Sequence, residues 1–566
     1  MPLIRSRLSG RRPLAMLGVG VIGLALVAGA TVATGLLAPR TVKAGGSICQ
    51  NVALTHGLDY MGAYGTTPMA KNPMAAVMLR NMGNGAAVAD AFGDGALDVF
   101  VLGQIGHPDR LYRNMLRQTG RPDFVDVTQQ AGLANNGGSR VAAFADLNSD
   151  GRPDLIVMND WDGAKAGSPS RVYRNNGDGT FSDVTANSGF APVGYLVGGL
   201  SLADFNHDGL LDVYVSYWTM ELGGDPGRST IKGLFPGRNH LFANLGNFTF
   251  KDVTDDVGLT MPSQDSFTSI FADLTGDGWP DLYVAVDHRA DQLFVNEGGH
   301  FRNASAESGV GHVGNDMGLA VADLHDDGLL DIYATNITDP NGQFGNSQGN
   351  TALIAGQGPG GQIAWSDQAP AMGIADTGWG WGTAFTDMNL DGRLDLFAGQ
   401  GMQEFIGALS PELRTEKSRL FVGSGDGSFS LASGTGCDLP GDQRAVIPFD
   451  ANRDGAPDLL VTQVGWSTML LENQTAGQHW LTVDLAGAGA QAAGARVRVV
   501  AGGHPTTQVA LYGGSYLSGM PMELYFGLGT ATRADDVTIT FGDGTVVHLG
   551  AQDGDRILHV TPAGAH

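Results

Sequence analysis

One nine-residue pattern recurs seven times along this chain: an acid, any residue, usually Asn, any residue, Asp, Gly, two residues, Asp. Four copies are complete: Asp146, Asn148, Asp150 and Asp154; Asp204, Asn206, Asp208 and Asp212; Asp387, Asn389, Asp391 and Asp395; Asp450, Asn452, Asp454 and Asp458. Three are degenerate at the third position. Asp90, Asp94 and Asp98 flank Phe92; Asp273, Asp277 and Asp281 flank Thr275; Asp323, Asp327 and Asp331 flank His325. Successive first acids lie 50 to 69 residues apart. Self-similarity on that scale marks a repeat architecture built from supersecondary units.

An apolar run precedes each loop, as at residues 141–145, and a branched or aromatic run follows it, as in Leu155, Ile156 and Val157. A second short run ends in Asn at positions 114, 175, 244 and 296, and a third begins with Phe124, Phe181 or Phe250. Such runs read as strands, four to a repeat, and predict an all-β, seven-bladed β-propeller over 46–474. After the seventh loop the Asn-terminated run 469–473 has no successor, while 49–58 carries the missing pattern ahead of the first loop. An N-terminal strand is therefore expected to complete the last blade and remove two sheet edges. Cys49 and Cys437, the two cysteines, precede the first and seventh loops. They are either a disulfide between adjacent blades or two free buried thiols.

Carboxylates and carboxamides at alternating positions of a tight loop aim several oxygens at one point, as hard dications require. The first, third, fifth and ninth side chains and the seventh carbonyl are the expected ligands, with up to seven Ca2+ bound. The twelfth position of the complete loops holds Val157, Val215, Ala398 and Val461 rather than Glu, so these are not helix–loop–helix hands. A metal-free Asx-rich turn is the alternative for one copy. Seven copies crowd like charges at a cost of several kcal/mol each unless something neutralises them.

The formal net charge is −25, from 58 acidic and 33 basic residues. That balance argues against nucleic acid or an anionic membrane as partner of the main domain. Three Asp in each of seven loops account for 21 of the acids, so much of the acidity is ligand rather than partner-facing surface. Ahead of the repeats, residues 1–12 carry Arg5, Arg7, Arg11 and Arg12, and 13–39 are free of charge. This N-terminal apolar helix (1–45) is a cleaved signal peptide or an uncleaved signal-anchor. Either reading places the rest outside the cytoplasm, periplasmic or secreted, with membrane contact through that segment alone.

The loops resemble the FG-GAP/VCBS repeats of integrin alpha-like propellers. Residues 479–483, 494–499, 514–518 and 526–529 resemble the ASPIC/UnbV domain, which implies a small β-sandwich-like domain over 475–566. With Gly378, Trp379, Gly380, Trp381 and Gly382 ahead of the sixth loop, the whole is similar to the cartilage acidic protein family. The resemblance implies an extracytoplasmic, calcium-stabilised binding protein, and Phe92, Thr275 and His325 depart from its ligand pattern.

No catalytic set emerges. Residues 345–349 fit a serine-nucleophile pattern in letters but sit in a polar stretch, and Pro359 breaks a dinucleotide-like run at 356–361. Met74, Met78 and Met82 read as buried packing rather than a soft-metal site. Trp161, Trp218, Trp379 and Trp381 are either sheet packing or an exposed ligand platform. The expectation is a binding or adhesion module for a protein or carbohydrate partner, with inserts 219–238 and 337–362 supplying specificity. An exported, polysaccharide-active enzyme using one propeller face is the alternative.

Overall fold

The computed structural model describes residues 40–43, 46–62, 81–104, 106–133, 138–160, 169–194, 196–218, 237–261, 265–338, 349–358, 360–402 and 416–565. The apolar leader, with Met74, Met78, Trp161, 345–348 of the serine pattern and most of insert 219–238, lies outside them, whereas most of insert 337–362 is described and includes the fifth sheet's strand Thr351–Gln357. No helix among the described residues is long and apolar enough to cross a membrane. The all-β expectation holds: the helical pieces are short turns such as Leu116–Thr119 and Ala369–Met372.

Among the described residues, seven sheets each carry a four-stranded antiparallel meander. The third sheet shows the recurring form. Val197–Ala203 pairs with Asp212–Tyr217, which pairs with His240–Asn244, which pairs with Phe250–Asp252. First strands are buried along all or nearly all of their length, because both their faces meet protein. The fourth strands of the first, third and fourth sheets are three residues long, with a buried Phe followed by two half-buried or exposed residues.

First strands also stand against one another in sequence order: Ala86–Ala89 beside Ser139–Ala145, and so on until Gln443–Phe449 lies beside Ala86–Ala89 again. Backbone meets backbone there. A Cβ on Gly318 would lie 2.2 Å from the Trp381 carbonyl oxygen, and one on Gly382 would lie 2.2 Å from that of Arg444. Only glycine fits such an approach.

Cys49–Asn51 is the outermost strand of the seventh sheet, pairing antiparallel with Met469–Asn473. Cys49 and Cys437 form a disulfide, which decides between the two sequence readings. Thr41–Lys43, within the stretch assigned to the leader, is an exposed parallel edge strand against Phe429–Ser433 of the sixth sheet. Beyond residue 475, Arg496–Ala501, His504–Val509 and Asp536–Thr540 form a sheet that continues the fifth one, through Ala322 opposite Gln508. A second sheet of Glu523–Gly529, His479–Asp484 and Arg556–Thr561 shares its hydrophobic core, with Val497 and Ile539 in the same cluster as Leu481 and Leu558. Residues 37–566 form one compact unit.

Because the disulfide fastens the terminal strand to a segment 388 residues away, its removal frees a very long loop in the unfolded chain. Replacing both cysteines (Cys49→Ser with Cys437→Ser) is expected to lower the unfolding free energy by about 2–5 kcal/mol. Denaturant titration measures the loss, and hydrogen exchange at 49–51 should rise before that of other strands.

Candidate metal centre

All seven acid loops join the first strand of a sheet to its second. Each is held by its own carboxylates. In the second loop Asp146 accepts backbone N–H bonds from Asp150 at 3.1 Å and Gly151 at 2.8 Å, and Asp150 accepts one from Arg152 at 3.0 Å. Asp154 accepts from Leu147 at 3.1 Å and, across the sheet, from Asn175 at 2.8 Å. The same five bonds recur at 204–212, 387–395 and 450–458. The degenerate loops keep them too.

The sequence pattern marks Gly at the sixth position, where Gly151 has φ 81°. It does not mark the fourth, which is also left-handed: Ser149, His207, Leu390 and Arg453 have φ between 55° and 60°. A non-glycine residue adopts that conformation at a cost of about 1–2 kcal/mol, which the carboxylate bonds on either side offset.

Ninth-position acids are the most enclosed, with Asp98, Asp154, Asp212, Asp281, Asp395 and Asp458 at 0% exposure. Burial pushes the Asp98 carboxyl well above its ordinary range, and like charge from Asp90 and Asp94 adds to the shift. Asp154 and Asp281 are pushed up to about 7 for the same reasons. At the first position, burial raises Asp387 and Asp450 to about 7. These groups are acids that the fold holds in too little water and beside too many neighbours of their own sign. Their donor set is all oxygen, which fits a hard dication and not a soft one.

All three degenerate loops draw cations from elsewhere in the chain. Arg113 lies 4.5 Å over the ring of Phe92 and donates to Asp94 at 2.8 Å. Against the upward push of partial burial, this bond and one from Gln118 pull the Asp94 carboxyl down. Arg496, from the C-terminal region, stands 3.6 Å from Asp273. In the third, Arg498 stands 3.1 Å from Asp326, and His325 Nδ1 lies 3.3 Å from Asp331. Two of the complete loops carry a cation of their own: Arg152 pairs with Asp150, and Arg393 Nη1 is 4.0 Å from Asp391.

Among the described residues, three His, Cys, Asp or Glu side chains bring donor atoms within 4.8 Å of one another at Asp291, His312 and Asp316, outside the loops. Each already has a protein partner: Tyr283 and the Val286 N–H on Asp291, Asn336 on Asp316, and Thr351 on His312. The loop acids stand further apart, each on its own backbone donors.

Sequence reasoning read the strand-ending Asn as a boundary mark and missed its role. Asn244 Nδ2 donates to Leu211 O of its own loop and to Leu147 O of the preceding sheet's loop. Asn175 and Asn296 make the corresponding bonds, and Asn114 reaches Ala451 O of the seventh loop. The fifth and sixth sheets have Ala355 and Gly423 at this place. The C-terminal region meets the same loops: Gly527 N–H donates to Asp387 at 3.2 Å, and Glu523 accepts both Arg453 Nη atoms at 2.6 and 2.9 Å. Trp218, Trp379 and Trp381 are 2%, 4% and 0% exposed. They are therefore packing residues, which removes the exposed aromatic platform as far as these three are concerned.

Repeated acid loops on four-stranded sheets, capped by a small β domain, define a repeat-protein class. This chain is an FG-GAP-repeat protein with a C-terminal ASPIC and UnbV domain. Residues 80–157, 159–215, 233–284 and 273–334 match the FG-GAP-like repeat, and 486–566 match ASPIC and UnbV. It is similar to cartilage acidic protein 1 of Homo sapiens, 25% identical over 290 residues, covering 47% of this chain and 40% of that one. The Xenopus tropicalis protein of the same name is 26% identical over 239 residues, covering 40% of this chain and 33% of that one. The matched stretches thus span well under half of the relatives' length. Among solved structures, an Agrocybe aegerita lectin that recognises non-reducing terminal N-acetylglucosamine is 17% identical, with a TM-score of 0.39 over 69% of this chain and 94% of that one. AofleA of Arthrobotrys oligospora is 13% identical, with a TM-score of 0.32 over 62% of this chain and 85% of that one.

Asn244→Ala would strand two buried carbonyls and is expected to destabilise the protein by about 1–3 kcal/mol. Breaking the exposed Arg302 pairs with Glu297 and Glu307 by Arg302→Ala should cost at most about 1 kcal/mol. Equal losses in denaturant titration would contradict the bridging role.

Proposed function

We propose that the seven sheets are the blades of one closed propeller ring, that its complete loops bind calcium, and that the protein is an extracytoplasmic binding or adhesion module. The observation that carries this reading is the collection of three Asp per loop at the same end of every sheet, with the ninth acid buried beneath the others. In the complete loops the first, third, fifth and ninth side chains and the seventh carbonyl would hold the ion. A bound dication supplies the positive charge that backbone N–H groups answer in part. The disulfide between two buried cysteines supports an oxidising compartment.

The C-terminal region lies on the acid loops, so the opposite ends of the sheets are the free ones. The strand ends at Tyr217 and Ala334, which precede the inserts 219–238 and 337–362, belong to that opposite side. Binding residues concentrate on such connections when a stiff scaffold presents them. A protein or glycan partner is assigned to this side, with calcium acting from beneath as a stiffener rather than as a bridge.

Ligands that bind the folded state alone stabilise it by mass action, about 2.7 kcal/mol per site at a hundred times the dissociation constant. Saturating calcium is expected to raise Tm by several degrees and a chelator to reverse the gain. An unchanged Tm, with no alkaline-earth ion by elemental analysis, would remove calcium from the account. Asp208→Ala should abolish more of the calcium-dependent gain than Asp94→Ala, because Arg113 already answers Asp94.

A further inference from the structure

The second strand of the fourth sheet, Asp281–Ala290, runs ten residues, where those of the second, third, sixth and seventh sheets run six. Its surplus lies at the end away from the acid loop. There Val313–Asn315, a strand outside the four-stranded meander, pairs with it at Asp287 and Ala290. Asp291 follows the extension directly and Asp316 follows the added strand, so each element delivers a carboxylate to one point. His312, just ahead of the added strand, supplies an imidazole, and the donor atoms of the three lie within 4.8 Å of one another.

Other buried acids on this side of the sheets are answered by guanidinium groups. Arg140 Nε lies 2.7 Å from Asp160, and Arg444 Nη1 lies 2.8 Å from Asp442. Asp291 and Asp316 are 0% exposed, and among the described residues neither is paired with Lys or Arg. One imidazole faces two enclosed carboxylates. Burial, and after it the charge of Asp316, push the Asp291 carboxyl well above its ordinary range. Enclosed like charges in contact need a proton or a cation between them.

The donors favour the cation. Asp316 Oδ2, fully buried, makes no hydrogen bond, although His312 Nε2 lies 2.6 Å away. The other bonds hold the groups from outside: Asn336 Nδ2 donates to Asp316 Oδ1 at 2.7 Å, the Val286 N–H to Asp291 Oδ1 at 2.7 Å, and the Tyr283 hydroxyl to Asp291 Oδ2 at 2.5 Å. A carboxylate oxygen that accepts once keeps a second lone pair, so these partners orient the ligands without filling them. Two carboxylates with one imidazole suit a first-row transition dication, whereas calcium and magnesium take oxygen donors and soft ions take sulfur.

We propose that Asp291, His312 and Asp316 bind one such dication, of the Zn2+ type, on the side of the sheets assigned above to the partner. The proposal stands apart from the calcium reading, because it concerns other residues and another donor set. Bound there, the ion joins the end of the fourth sheet's second strand to the approach of the fifth sheet's first strand, Leu319–Asp323. Thr351 Oγ1, 3.0 Å from His312 Nε2, ties the same point to the insert 337–362. That insert thus rests on a metal-dependent joint. Three protein donors also leave a coordination position open for water or for a partner's group.

The test is equilibrium dialysis of the full chain against zinc chloride in excess calcium, which competes for the all-oxygen loops. The expected result is one zinc per chain, with X-ray absorption showing a single imidazole nitrogen among oxygen donors. Asp316→Asn and His312→Gln should each lose that equivalent. His240→Gln, which removes an imidazole 2.8 Å from Asp252 outside the cluster, should keep it. No bound zinc in the parent chain, or zinc retained by both cluster variants, would overturn the proposal and leave a shared proton between the two acids. A shell without imidazole would overturn it as well, by assigning the zinc to the acid loops. Should Asp316→Asn fail to fold, His312→Gln, whose side chain is 27% exposed, decides alone.

Discussion

Seven buried carboxylates, one at the ninth position of each loop, hold this architecture in register. Each takes one backbone N–H from the second residue of its own loop and another from the third strand of its sheet. A single side chain thereby fixes a turn and a strand pairing at once. Enclosing an ion is expensive without such partners, and the same geometry that satisfies the oxygens crowds them against the first and fifth acids. The chain cannot relax that crowding by exposing the ninth acid, because doing so would release the third strand. Charge must instead be answered where it stands.

Much of this is legible in the sequence because the acids, the glycine and the flanking apolar runs are all local, within about a dozen residues. The loop positions, the strand order and the closing strand at Cys49–Asn51 follow from that spacing alone. What escapes is long-range. Asn244 looks like the end of a strand until Leu147 O is seen beside it, nearly a hundred residues away in sequence. Phe92 looks like a lost ligand until Arg113 is found across its ring. The left-handed fourth position hides because Ser149, His207, Leu390 and Arg453 share no side-chain chemistry, only a backbone angle set by the loop. Residues 510–521 escape altogether: nothing in their composition says that the partners of Ser515 lie on three different sheets.

A chain of four-stranded sheets has to solve the problem of its free edges, since an exposed edge recruits other strands. Here the ends are tied twice. Cys49–Asn51 completes the seventh sheet by hydrogen bonding, and the disulfide to Cys437 makes that completion covalent. The C-terminal region adds a further tie by continuing the fifth sheet at Ala322 and Asp323. These ties act on different sheets, so no single opening releases the whole.

The degenerate loops show which part of the pattern the fold itself demands. All three keep the first, fifth and ninth acids and the bonds those acids make, while the third residue varies freely among Phe92, Thr275 and His325. The acids at one, five and nine therefore suffice to build the turn, and Asn at the third position adds to it by accepting the N–H of the fifth residue. In the loops without Asn at the third position, Arg113 donates to Asp94, Arg496 stands beside Asp273 and Arg498 stands beside Asp326. The proposed calcium sites are the loops that retain Asn at the third position, and the three others are the same structural element with a guanidinium from another segment beside it.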